Sequence, residues 1–188
     1  MKQMIKITPS EEYAIVQASL TNPSEFRVIY ERYYADVFRF VFSKVNDSDQ
    51  TADIVSNTFV KVITKLASYT YKGYSIKNWI VRIAYNETME FFRKSAKRPT
   101  VSIEDEDLQH IADELEVDHS LTFYEISPFL DRLDDQELAL IELRYFDKLK
   151  IREIAEIMDF TEAKTRVVIH RILKKLNKQI KEEVHHEQ

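Results

Sequence analysis

The sequence has one glycine, no cysteine and four prolines among 188 residues, and each scarcity removes a class of chemistry. A P-loop or a dinucleotide fingerprint needs two or more glycines where backbone approaches phosphate, so neither can be built. Disulfide scaffolds, zinc fingers, iron–sulfur clusters and cysteine nucleophiles are excluded with the thiol. Five histidines remain, His185 and His186 being adjacent, and no HExxH or other metal-ligand spacing occurs. No run approaches the ~18 apolar residues of a membrane span, so no membrane insertion is expected. Met1 to Ser10 lacks the apolar stretch of a signal peptide, leaving the cytoplasm as the default location. Scarce Gly and Pro also oppose an all-β fold, whose turns require them.

What is present is 44% hydrophobic and 31% charged, which fits a helical protein of one or two domains. The net charge of −5 is unevenly laid out. Residues 20–98 carry thirteen Lys/Arg against eight Asp/Glu. Residues 99–119 hold eight acids and no Lys or Arg, opening at Pro99. From Lys164 to Lys181 there are seven bases and no acid. Two basic surfaces separated by an acidic tether suit a nucleic-acid binder better than the whole-chain charge implies. The expected fold is therefore all-α: a helical domain over 20–98, an acidic linker over 99–120, and a second helical domain over 121–181.

Periodicity places the helices. Phe26, Ile29, Tyr30, Tyr33, Val37, Phe40 and Val41 recur at helical spacing. After Asn46-Asp47-Ser48-Asp49, a second core stripe is expected from Val55, Phe59, Val62, Ile63 and Leu66, with Asp53, Asn57 and Val60 on another face. Tyr69 to Ser75 interrupts the pattern and contains Gly73. Then Ile76, Trp79, Ile80 and Ile83 predict a core stripe, opposed by Arg82, Tyr85, Asn86, Met89 and Arg93. Beyond the tether, helices are expected around Phe123–Leu133 and Leu138–Tyr145. A short helix over Ile151–Met158 and a longer basic one over Ala163–Lys181 follow, with Thr161 as N-cap. That pair has helix-turn-helix spacing. On its second member Lys164, Arg171, Lys174, Lys175 and Lys178 oppose the apolar face, with Val167 among them. An apolar residue inside a basic face suits a thymine methyl flanked by phosphate contacts. A solvated charged face would look alike by charge alone; the preceding helix and turn favour DNA.

Three segments together resemble bacterial sigma factors. Thr51-Ala52-Asp53-Ile54-Val55-Ser56-Asn57-Thr58-Phe59 resembles the A-E-D-L-V-Q-E-T-F segment of that family. Trp79-Ile80-Val81-Arg82-Ile83-Ala84-Tyr85-Asn86, with Glu90 and Arg93, resembles W-L-x-x-I-A-x-N-x-x-x-D-x-x-R. Glu153-Ile154-Ala155-Glu156-Ile157-Met158, with Arg166 and Arg171, resembles the E-I-A pattern of the promoter-reading C-terminal domain. Order, spacing and tether resemble the two-domain extracytoplasmic-function group, over residues 20–98 and 121–181.

The resemblance implies a non-enzymatic subunit without cofactor or metal that binds core RNA polymerase and directs it to promoter DNA. Asp53, Ser56, Asn57 and Val60 would dock on the polymerase. Asn86 would read a base of the opened strand at the −10 element, its amide offering both donor and acceptor. Tyr71, Tyr74 and Tyr85 would supply stacking, and Arg82, Arg93, Lys94, Lys97 and Arg98 phosphate contacts. Lys164, Arg166, Val167, His170, Arg171, Lys174 and Lys175 would face the −35 element. The acidic residues 102–119 would enter the basic channel of the polymerase or act as a solvated spacer. Members of the group are often held inactive by an anti-sigma factor, so such a partner is implied here too.

Ser56 for glutamine, Glu90 for aspartate, Asp159 for glycine, Thr165 for valine and Val167 for a small hydroxyl residue depart from the family pattern. A helix-turn-helix regulator acting on duplex DNA without polymerase is the alternative. It leaves the Asp53 and Trp79–Asn86 segments unexplained. A protein-binding helical adaptor leaves the basic run unexplained.

Overall fold

A computed structural model describes residues 7–95 and 123–184. The acidic segment 99–120, Lys97 and Arg98 lie outside the described residues. All regular structure among the described residues is helical, and the chain divides into two compact units, 1–100 and 101–188.

Among the described residues the first unit contains four α-helices: α1 (Pro9–Thr21), α2 (Arg27–Val45), α3 (Ser48–Lys65) and α4 (Lys77–Ser95). Each start and stop has a local cause. Thr8 caps α1, its hydroxyl accepting from Glu11 N–H at 3.3 Å while the Glu11 carboxylate accepts from Thr8 N–H at 2.6 Å. Asp47 caps α3 by accepting from Gln50 N–H at 2.9 Å. Asn46 closes α2 in the left-handed region at φ 51, a conformation its short amide tolerates.

Helix α2 buries Ile29, Tyr33, Val37 and Val41, one residue per turn. Phe40 is only partly buried and Tyr30 is exposed, so the core stripe is narrower than the periodicity suggests. Helices α2, α3 and α4 pack on one another around Val37, Val41, Val55, Val62, Ile80 and Ala84, all fully buried. At roughly 1.5–3 kcal/mol for each large aliphatic side chain, this burial dominates the unit's stability. Lys77 at the start of α4 also meets Asp36 of α2 at 2.7 Å. Burial pushes the Asp36 carboxyl up, but Lys77 and then Arg39 outweigh it and hold it below its ordinary value. That pair is present at neutral pH and is lost only as acidification passes the depressed value.

Helix α1 has no counterpart in the sequence analysis. It contributes one fully buried apolar residue, Val16, with Ile15 partly buried against the same core.

The second unit contains α5 (Phe123–Leu130), α6 (Asp135–Ile141), α7 (Ile151–Met158) and α8 (Glu162–Val184). Asp134 caps α6 by accepting from Gln136 and Glu137 N–H. A π-helical turn over Glu142–Phe146 follows α6. Ile126, Leu140, Ile141, Leu143, Ile154, Ile172 and Leu176 are buried. Helices α7 and α8 form the expected helix-turn-helix. Asp159 ends α7 in the left-handed region, φ 58 and ψ 41. Phe160 N–H then bonds back to Ala155 C=O at 2.8 Å. Thr161 starts α8, its hydroxyl accepting from Lys164 N–H at 3.1 Å. Thr165 is fully buried and donates its hydroxyl to Thr161 C=O at 3.0 Å, so a residue where the family has valine still fits the core.

The left-handed backbone at Asp159 explains why glycine is common at that turn: a Cβ there carries strain of about 1–2 kcal/mol. Aspartate offsets part of it through local hydrogen bonding. Asp159→Ala, which keeps the Cβ and loses the carboxylate, is expected to be less stable than Asp159→Gly by about 1 kcal/mol. Urea unfolding of the two variants measures this.

Candidate nucleic-acid interface and docking face

On α3 the residues Asp53, Ser56, Asn57 and Val60 are all exposed, Val60 to 60%. At 100° per residue they fall within about 100° of arc. Ile63 joins their edge at 47% exposure, against the expectation that it belongs to the core. The cause is where the buried arc is centred. Helix α3 is covered by both α2 and α4, and it buries Thr51, Ile54 and Thr58 beside Val55, Phe59, Val62 and Leu66. The Thr58 hydroxyl donates to Ile54 C=O at 2.8 Å, which removes the cost of burying it. The stripe expected from the sequence leaves out Ile54 together with the two threonines and takes in Ile63, which moves the arc's centre by about 60°.

The same shift occurs on α4. Its buried arc runs through Ile76, Ile80, Ala84 and Thr88 and on to Val81, Tyr85 and Phe92. Thr88 donates to Ala84 C=O at 2.8 Å. Trp79 and Ile83, expected in the core, are partly buried at its edge, and Trp79 packs near Tyr69 with ring centroids 5.3 Å apart. Tyr85 is a correction. Lying between the buried Val81 and Thr88, it is 8% exposed and offers no open ring for stacking. Asn86 and Arg93 are exposed, and Arg82 and Met89 are half-buried on the same side of the helix. Tyr74 is half-buried in the preceding loop. Tyr71 is too, and one face of its ring stacks on Tyr13 at 4.8 Å and 15°. Tyr13 was not reached from sequence, since nothing in the spacing links α1 to this loop.

An ion-pair chain joins α3 to α4 beside Asn86. Lys61 lies 2.5 Å from Glu87 and 3.7 Å from Glu90, and Lys94 lies 2.6 Å from Glu90. Glu87 foremost raises the Lys61 ammonium above its ordinary pKa. Lys94 and then Lys61 hold the Glu90 carboxyl below its own. Two acids beside Asn86 are thereby neutralised, which would limit their repulsion of a phosphate backbone. Lys94, expected as a phosphate contact, is engaged in this chain.

In the second unit Lys164, Arg166, Val167, His170, Arg171, Lys174 and Lys175 are all exposed. Val167 is 66% exposed within the basic face. Three of the cations are partly engaged. The Lys164 ammonium sits 3.5 Å above the Phe160 ring, Arg166 is 3.5 Å from Glu162, and Lys175 is 2.6 Å from Glu137 of α6. Among the described residues no group of three or more His, Asp or Glu could hold a metal ion.

Comparison with known proteins matches residues 29–98 to Sigma-70 region 2 and residues 129–178 to Sigma-70, region 4. The ECF RNA polymerase sigma factor SigX of Bacillus subtilis (strain 168) is 31% identical over 162 residues, covering 81% of this chain and 82% of that protein. SigM of the same organism is 27% identical over 154 residues, covering 79% and 90%. The solved structure of CnrH in complex with the cytosolic domain of CnrY superposes with a TM-score of 0.56 at 18% identity, covering 90% of this chain and 97% of that one. This last likeness concerns the fold.

The arc on α3 yields a direct contrast between two neighbouring residues. Val62→Ala, in the buried arc, is expected to lower the unfolding free energy by about 2–3 kcal/mol. Ile63→Ser, one position on, should change it by less than about 0.5 kcal/mol. Equal losses at both positions would place Ile63 in the core after all.

Proposed function

The chain belongs to the extracytoplasmic-function sigma factors of bacterial RNA polymerase, and on that premise we propose how its two units divide the work. As a sigma factor it binds core RNA polymerase and directs it to promoter DNA. The exposed stripe of α3, Asp53, Ser56, Asn57 and Val60, docks on core polymerase, with Ile63 extending its apolar edge. The outward side of α4 and the Tyr71–Tyr74 loop receive the opened strand of the −10 element. There Asn86 reads a base edge, and Arg82 and Arg93 hold phosphates. The basic face of α8 reads the −35 element, with Val167 against a base and Arg171 and Lys174 against the backbone.

The observation that carries this reading is the packing of α3 on α4. Their buried arcs face each other, so the docking stripe and the strand-reading stripe turn outward from one rigid pair. Polymerase binding thereby brings the reading helix to the DNA without a further hinge. Extruding a base costs a few kcal/mol. Stacking contributes about 1–3 kcal/mol per base, and an amide pairing to a base edge adds to it. The chain makes and breaks no bond in this account; nucleotide addition belongs to the polymerase. Its place of work is the cytoplasm, and no described helix is long and apolar enough to cross a membrane. An anti-sigma factor would hold it inactive, and exposed Val28 and Phe42, on one side of α2, give such a partner apolar surface outside the proposed DNA-reading stripe.

Asp53→Arg is expected to abolish co-elution with core polymerase, whereas Asn86→Ala should co-elute normally and lose −10 selectivity. Loss of co-elution by Asn86→Ala would make Asn86 structural. For holoenzyme on promoter duplex, Lys174→Ala should reduce the slope of log affinity against log salt by about 1. Lys175→Ala should reduce it less, because Glu137 already holds that ammonium. Equal slopes for Lys174→Ala and the unaltered chain would exclude a phosphate contact at Lys174.

A further inference from the structure

Glu12, near the start of α1, is 2% exposed, although a carboxylate so placed in sequence reads as solvated surface. Its Oε2 accepts from Ile76 N–H at 3.1 Å, across 64 positions of chain. Its Oε1 accepts from the Tyr33 hydroxyl and lies 3.3 Å from Arg32 Nε. The Tyr33 hydroxyl is also 2.8 Å from Ser75 Oγ, which accepts from Lys77 N–H at 3.1 Å. Ile76 immediately precedes α4 and its C=O accepts from Ile80 N–H. The first N–H groups of a helix have no partner within it, so here a carboxylate from α1 and a serine hydroxyl take their place. The negative charge also sits at the favourable end of the helix dipole.

The next residue, Tyr13, stacks on Tyr71. Two adjacent side chains of α1 therefore grip both ends of the segment 71–76. That segment includes Gly73, held at φ +80 with open space where a Cβ would stand, and Tyr74. It leads directly into the helix that carries Asn86.

We propose that Glu12 is a positioning residue for capture of the opened strand. Together with Tyr13 it fixes the 71–76 segment and the first turn of α4 in the arrangement that an extruded base requires. Helix α1 then belongs to the promoter-reading device rather than serving only as cover for the core. A segment that sampled other arrangements would bind the strand more weakly in proportion to the time it spends disassembled. This inference rests on the reading above that the loop and α4 receive the −10 strand.

Glu12→Gln keeps the shape of the side chain but turns one acceptor into a donor. That donor must face Ile76 N–H or the Tyr33 and Arg32 donors. The test uses holoenzyme assembled from core polymerase and the full chain. The probe is fluorescent single-stranded DNA from the non-template −10 region of a promoter that the unaltered holoenzyme transcribes. Glu12→Gln is expected to weaken probe binding at least tenfold and Tyr13→Leu at least threefold, with affinity of the chain for core polymerase changed less than twofold. Parallel loss of core and probe binding by Glu12→Gln would make its role merely structural and overturn the inference. Should Glu12→Gln fail to fold, Tyr13→Leu decides, since its ring is only half-buried: unchanged probe binding overturns the inference. Asn86→Ala run alongside separates the two levels. Loss with Asn86→Ala alone overturns the role of α1, and no loss in any variant overturns the strand site on which it rests.

Discussion

The contact between α3 and α4 is the constraint on which the rest of the first unit depends. Val55, Phe59 and Val62 on one helix, Ile80 and Ala84 on the other and Ile76 just before it belong to a single buried cluster. Side chains of this kind are worth roughly 1.5–3 kcal/mol each when buried, whereas an exposed ion pair is worth at most about 1 kcal/mol. Packing therefore sets the rotation of both helices, and the Lys61–Glu87–Glu90–Lys94 chain adjusts charge on a geometry already determined. Once the rotations are set, Asp53, Asn57 and Val60 have only the outward side of α3 to occupy, and Asn86 and Arg93 only that of α4. Function is read on the sides that folding leaves over.

Much of this was legible in the sequence. The periodicity of α2, α3, α4 and α8 is strong, the short α7 was bounded correctly by Ile151 and Met158, and Thr161 caps α8 as its position suggests. The misjudged details concern which arc of a helix is buried. Thr51, Thr58, Thr88 and Thr165 are fully buried, and three of them direct their hydroxyls to the C=O four residues back. A threonine satisfied in that way packs like valine, yet it counts as polar in a pattern of letters. On α3 the expected stripe takes in Ile63 and omits Ile54, and on α4 it omits the apolar Val81, Ala84 and Phe92 that bury Tyr85 with them. Helix α1 escaped notice because its buried face is mostly one valine and one glutamate. One partner of Glu12 is a backbone N–H 64 positions away, which no side-chain pattern announces.

The charge layout also changes meaning once the side chains have positions. The net charge of −5 conceals the basic run of α8, and the count of seven bases in that run overstates what the face can offer to phosphate. Lys175 is held by Glu137, Arg166 is near Glu162, and Lys164 lies on Phe160. Charge supplies attraction without reading sequence, and on the proposed reading discrimination among bases falls to residues such as Val167, which stands further into solvent than any other large apolar residue described. On the proposed reading the two units combine a duplex-reading face with a strand-capturing one.

The most direct test of this account is run-off transcription reconstituted from core polymerase, the purified chain and genomic promoter fragments. The account predicts discrete transcripts that start at defined positions and vanish when the chain is omitted. A folded chain that binds promoter duplex on its own yet yields no transcript above core polymerase alone would contradict it.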